Sequence, residues 1–307
     1  MIKSTMRVLP LLDESHRPKV AELIEKYKLE PELRDVYVEG ESDAVLFRWF
    51  LSRTNAKHVK VCDVNTVDLP MYILEKHNQD DGRRGRVIAL AHEIETGLGT
   101  GSHQATCIAD SDFNFVFGIH NNSRVLLFTD YTSLEIYLFK DLHLQKFLDL
   151  TIHKYPTQAL SILRSLTPAL RQMFAVRIAC HILRWGVELV DFTESCVITA
   201  TGIDTQLDKY KEKIINKARR WNERAEFDTI VAKYLTMDLG DDRLQIHGHD
   251  YMKMLGWYLV KLGVRHDVED LCRSKAIESI MFLGLEPDDL SAEVLFRTLL
   301  SRVAVLD

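Results

Sequence analysis

"DVYVEGESDAVLFRWFL" (residues 35–51) opens as a strand and closes as a helix. Val36, Tyr37 and Val38 are β-branched or aromatic, and the run stops at Gly40, as a buried strand does. The following "SDAVLFRWFLSR" offers Ser42 as a candidate N-cap, with Asp43 in the first turn. Three carboxylates, Glu39, Glu41 and Asp43, sit at the join. A strand end is a poor place for three like charges unless something positive binds there.

The same alternation continues outward. "SHRPKVAELIEKYKL" predicts a first helix, with Val20, Leu23, Ile24 and Tyr27 at helical spacing. "HVKVCDV" reads as a strand, "LPMYILEKHN" as a helix and "QDDGRRGR" as a turn-rich loop. "VIALAHEI" reads as a third strand, "GLGTGS" as a loop, and "QATCIADSDF" and "SRVLLFTD" as two more strands, before "SLEIYLFKDL" opens a helix. Strands alternating with helices imply a three-layer α/β fold with a mostly parallel sheet. Sites in such sheets form at the carboxyl ends of strands. The acids fall there: Glu39, then Asp110 and Asp112, then Asp130 with Glu135.

Beyond about residue 139 the pattern turns helical. "TQALSILRSLTPALRQMFAVRIACHILRWG" is expected to break near Pro168, and "VELVDFTESCVIT" holds one or two strands. A long helix is expected from Asp204 to Tyr234, with three more in the tail. The implied organisation is an N-terminal helical segment (1–30), an α/β domain (31–150) and a mainly helical C-terminal domain (151–307).

Composition excludes several classes. Of 307 residues, 46% are hydrophobic and 27% charged, which is globular rather than disordered. No apolar run reaches membrane-span length, and the N-terminus lacks the apolar core of a signal peptide. Five scattered cysteines without a CxxC pair point to reduced thiols in a cytoplasmic protein and to no structural zinc. The net charge of −6 argues against an overall basic coat and leaves local basic patches open. There is no GxxxxGK followed by Ser or Thr, no HExxH and no GxSxG, so neither a P-loop ATPase, a zincin nor an α/β-hydrolase is expected. The alternating glycines of "GLGTGS" lack dinucleotide-loop spacing and precede a strand.

A strand-end Glu and a later DxD meet if their strands are neighbours, and an extended DxD sends both carboxylates to one side. Hard oxygen ligands of this kind suit Mg²⁺ or Mn²⁺, and two such ions clamp the attacking and leaving oxygens of a phosphodiester. Helix capping is the competing use of such acids. "YVEGESD" followed by "CIADSDF" resembles the Toprim signature over roughly residues 31–150. Asp43 four residues after Glu39, and Ser133-x-Glu135 in "FTDYTSLEIYL", are similar to the overcoming-lysogenization-defect (OLD) nucleases. With one Toprim unit and a helical second half, the chain most resembles the AriB-type Toprim effectors of PARIS anti-phage defence.

That resemblance implies a Toprim-like fold with a helical C-terminal lobe and a metal-dependent endonuclease. It implies a toxin that cuts tRNA and is held in check by an ABC-type ATPase partner. DNA cleavage by the same site, or a non-catalytic metal-binding interaction module, are the alternatives. Glu39, Asp43, Asp110, Asp112 and Glu135 would hold Mg²⁺ or Mn²⁺, two ions in all, with Ser133 a nearby polar contact. Glu39, Asp110 and Asp112 would also serve catalysis, and related nucleases often act as homodimers. Those nucleases carry a late basic residue as well. "IHGHDYMKML" offers His249 as a proton donor, with Asp250 beside it and Lys253 one turn on. Glu41 falls at a variable position. Lys209, Lys213, Lys217, Arg220 and Arg224 are spaced as one helical stripe, opposite Ile214, Ile215, Ala218, Trp221 and Ala225. With Arg83, Arg84 and Arg86 they are the expected nucleic-acid contacts.

Overall fold

The computed structural model describes residues 17–304 apart from 55, 100–102, 154 and 200–201. The start of the chain, on which the signal-peptide reading rests, lies outside the described residues, as does the end of "GLGTGS". The chain divides into two compact units that are not consecutive stretches. One takes residues 1–109, 121–128 and 295–307, and the other 110–120 and 129–294. Neither unit ends near residue 30 or 150, where the sequence pattern changes.

The first unit runs α1 (Val20–Leu29), β1 (Asp35–Val38), α2 (Glu41–Arg53), β2 (Val61–Asp63), α3 (Met71–Lys76), α4 (Arg83–Leu98), β3 (Ala105–Ala109) and β4 (Leu126–Phe128). Its sheet has the order β2-β1-β3-β4, and every pair is parallel. The α/β class expected from the sequence is therefore present. β1 and β3 are fully buried along their length, which is why they read as continuous apolar runs rather than as alternation. Tyr37, Cys107 and Ala109 share a core with Val20, Leu23 and Tyr27 of α1 and with Val87, Leu90 and Ala91 of α4. Val36 and Val38 point the other way by strand alternation.

"VIALAHEI" is a correction: it lies inside helix α4 rather than forming a strand. Val87 through Ala91 are all buried. A helix wrapped by core loses its amphipathic period, and a short apolar run then looks like a buried strand. "DGRRGR" is corrected with it, because Arg83, Arg84 and Arg86 occupy the opening turns of α4 instead of a loop.

The second unit holds α5 (Asn114–Phe117), α6 (Asp141–Phe147), α7 (Ala159–Ile182), the antiparallel pair β5 (Val197–Thr199) and β6 (Gly202–Asp204), α8 (Leu207–Ala218), α9 (Arg224–Leu235), α10 (Gly248–Lys261), α11 (Ser274–Leu283) and α12 (Pro287–Ser291). α7 does not break at Pro168. Leu166, Ala169 and Leu170 are fully buried around the proline. Packing on both sides offsets the lost backbone hydrogen bond. The long helix expected from Asp204 to Tyr234 is two helices, α8 and α9. Arg219 adopts a left-handed conformation (φ 56°) between them. The last helix, α13 (Val294–Val303), returns from Leu295 onward to the first unit. There Phe296 packs on Phe47 and Phe50 of α2, with ring centroids 5.4 and 4.9 Å away. Among the described residues no helix is long and apolar enough to cross a membrane. All five cysteines are free thiols, and four are buried, as small core residues.

Candidate metal centre

β1 and β3 are adjacent parallel strands that end at Val38 and Ala109. Glu39 and Asp110 are the next residues along each, and both are half-buried. The turn after β1 is built on Gly40. Its backbone is extended (φ −152°), so no unusual conformation is needed there. A Cβ there would lie 2.8 Å from Nη1 of Arg83 and 3.9 Å from Oδ2 of Asp43. Arg83 thus brings a positive charge to the acidic turn. Asp43 accepts a hydrogen bond from the Gly40 N–H at 3.1 Å, closing the first turn of α2. Glu41 is exposed at the start of α2 and paired with Arg48 at 2.6 Å. That pairing holds the Glu41 carboxyl below the ordinary range.

Asp110 and Asp112 do not lie on an extended segment, which corrects the expectation for this DxD. The strand has ended at Ala109, and Asp112 is left-handed at φ 45°, a conformation that Asp tolerates. The turn is held from one side. The Ser111 N–H donates to Thr129 Oγ1 at 2.9 Å, and the Ser111 hydroxyl donates to the Thr129 carbonyl at 2.5 Å. The Asp112 N–H donates to the Thr132 carbonyl at 2.8 Å. The DxD turn is thereby bonded directly to the segment that carries Ser133 and Glu135.

That segment meets the start of α10. The Thr132 hydroxyl donates to the Ile246 carbonyl, and the Ser133 hydroxyl donates to Glu135 Oε2 at 2.5 Å. Gly248 explains the close approach. A Cβ on it would collide with Ser133 Oγ and Glu135 Oε2 and lie 2.9 Å from the Glu135 Cβ. His249 Nδ1 stands 3.3 Å from Glu135 Oε1, with the glutamate side chain 13% exposed and the imidazole 73%. Glu278 of α11 completes a group: one ligand atom from each of Glu135, His249 and Glu278 lies within 4.8 Å of the others. Burial raises the Glu278 carboxyl above its ordinary value, and the charge of Glu135 raises it further against the opposing pull of His249 and Lys275.

Asp250 and Lys253 have other partners. Asp250 is buried and receives two hydrogen bonds from Arg177, at 2.6 and 2.7 Å, so it is a structural ion pair. Burial works against its charge, but Arg177 overcomes this and the carboxyl lies below the ordinary range. Lys253 pairs with Asp191 at 3.1 Å and lies over the Phe192 ring. Of the basic candidates in this stretch, only His249 faces Glu135 among the described residues. The missed residue is Glu278. "KAIESIMFL" reads only as an amphipathic helix, and nothing local marks its glutamate.

The expected basic stripe is broken. Lys213 pairs with Glu194 at 2.8 Å, Arg220 with Glu223 at 3.3 Å, and Arg224 with Glu212 at 3.4 Å and Asp228 at 3.7 Å. Lys209 reaches Gln206, and Lys217 is exposed on α8. Trp221, expected on the packing face, is 47% exposed because it lies after the break. Arg86 is tied to Asp81 at 3.0 Å and to the carbonyls of Val67 and Leu69, and Arg84 lies over the Phe128 ring. These arginines are held within their own unit. No family model matches the chain, and no curated protein matches it.

Proposed function

We propose that the chain is a divalent-metal-dependent endonuclease of the Toprim type, cutting RNA in preference to DNA. In this reading it is the toxic effector of an anti-phage defence system, restrained by a partner ATPase. The observation that supports it is the order of acids on adjacent parallel strands. Glu39 follows β1, Asp110 follows β3, and the Asp112 N–H bonds the segment leading to Ser133-x-Glu135. Glu39, Asp43, Asp110, Asp112 and Glu135 are the carboxylates that would hold Mg²⁺ or Mn²⁺. When bound, such ions supply Lewis acidity and an activated water for phosphodiester hydrolysis. Ser133 holds the Glu135 carboxylate in place through its hydroxyl. His249, exposed and beside Glu135, is the proton donor for the leaving oxygen.

The second reading is a non-catalytic interaction module. It is favoured by Arg83 and by the Asp43 cap, which give the turn after β1 a purely structural use. Incubating the protein with total tRNA and with supercoiled plasmid, each with Mg²⁺ or Mn²⁺, separates the two. Metal-dependent cutting of tRNA is expected, and Glu39→Gln or Asp110→Asn lowers it at least about a hundredfold. Plasmid cutting alone moves the substrate to DNA. Wild-type protein that cuts neither with its partner present, or variants that cut normally, overturn the nuclease reading.

A further inference from the structure

Glu135, His249 and Glu278 come from three separate elements. Glu135 sits in a 3₁₀ turn (Leu134–Leu138), His249 in the first turn of α10 and Glu278 in the middle of α11. Sequence distance separates them, so their convergence within 4.8 Å is a property of the fold. Two glutamates brought this close repel each other unless a positive charge lies between them. The imidazole is one partner, but it is mostly exposed, and its ion pair is with Glu135, at 3.3 Å.

Two further features point to a guest. His247 Nδ1 is buried and has no hydrogen-bond partner among the protein groups, and the His247 ring centroid is 5.5 Å from that of His249. A buried polar atom without a partner, this close to the cluster, calls for an explanation such as an ordered water or a bound guest. The second feature is rigidity. Gly248 lets α10 press directly onto Ser133 and Glu135, while the Arg177–Asp250 pair and the Thr132–Ile246 bond fix the start of α10. A ligand set held by packing and hydrogen bonds is what a metal site requires of its surroundings.

We infer that Glu135, His249 and Glu278 form a binding site for a transition-metal dication, with Mn²⁺, Fe²⁺ or Zn²⁺ preferred to Mg²⁺. The preference follows from the donors. Magnesium favours an all-oxygen shell with several waters, whereas imidazole suits the later first-row ions. Three protein ligands leave coordination positions for water or for a phosphate oxygen, as in catalytic rather than structural sites. The site shares Glu135 and His249 with the nuclease reading but stands without it; an ion held by His249 would replace that residue's role as proton donor.

The test is Mn²⁺ binding to the purified full chain, followed by pulsed electron paramagnetic resonance. Wild-type protein is expected to show nitrogen hyperfine coupling from a bound histidine, a signature that an all-carboxylate site does not give. His249→Ala removes that coupling. Glu278→Gln weakens Mn²⁺ binding at least about tenfold while the unfolding temperature stays that of a folded protein. Glu39→Gln leaves the nitrogen coupling in place. Absence of nitrogen coupling in the wild type, its persistence in His249→Ala, or unchanged affinity in a folded Glu278→Gln variant overturns the inference. The nuclease reading fails separately. Nitrogen-coupled Mn²⁺ on a protein that cuts nothing leaves this site standing, and cleavage by a protein without that coupling removes only this site.

Discussion

Replacing Asp250 with asparagine is expected to lower the unfolding free energy by about 3–5 kcal/mol. Asp250 is 5% exposed and takes both of its strong hydrogen bonds from Arg177 of α7. The amide keeps the shape but loses the charge, leaving the guanidinium buried against a neutral group. Arg177→Met leaves the carboxylate in that position and should be comparably damaging. The double replacement Arg177→Met with Asp250→Leu is expected to recover part of the loss, because an apolar pair of similar volume removes both desolvation penalties. Denaturant unfolding of the wild type, Arg177→Met, Asp250→Leu and their combination measures the cycle, and additive single losses would show that the two residues do not act as a pair.

The same pair sets a pH dependence. Asp250 has a folded pKa below its unfolded value, so its contribution is complete above the unfolded value of about 3.9. It is lost as the pH falls from there through the lower folded value. Stability of the wild type should therefore fall more steeply in that window than stability of Asp250→Asn. Acid unfolding curves that run parallel would contradict this.

Gly256→Ala is the second large effect, and its sign is the informative part. In an open helix the change stabilises by about 1 kcal/mol through propensity. Here a Cβ would collide with the Cys272 carbonyl oxygen and lie 3.2 Å from its carbon and 3.3 Å from Ile277 Cδ1. The obstacle is backbone, which does not rotate away. A net loss of about 1–3 kcal/mol is expected from overpacking. α10 carries His249 and α11 carries Glu278, so separating these helices should also weaken the cluster's hold on Mn²⁺. A stabilised variant with unaltered Mn²⁺ affinity would disprove the account.

The parts of the fold that were legible are those whose chemistry is local. β1 and the start of α2 follow from "DVYVEGESD" because a strand, a turn glycine and an acidic first turn lie in nine consecutive positions. The parallel order follows from alternation. α4 was hidden because its burial on all sides erased the period that distinguishes helix from strand. The break between α8 and α9 was hidden because Arg219 adopts a left-handed conformation without glycine or proline to announce it. A helix interrupted there cannot present five cations in one row. In the candidate site, Glu135 and His249 were reached through short motifs. Glu278 was not, because its meaning comes only from the packing of α11 beside α10.

The return of α13 to the first unit has a consequence for biosynthesis. Phe47 and Phe50 emerge early from the ribosome, whereas their partner Phe296 follows after a further 166 residues of the other unit (129–294) have been made. Until then the strands can pair, but the α2 face has no aromatic plug and exposes two large rings. The packing of α2 is therefore completed only after Phe296 has been made, and until then its two rings are an aggregation hazard.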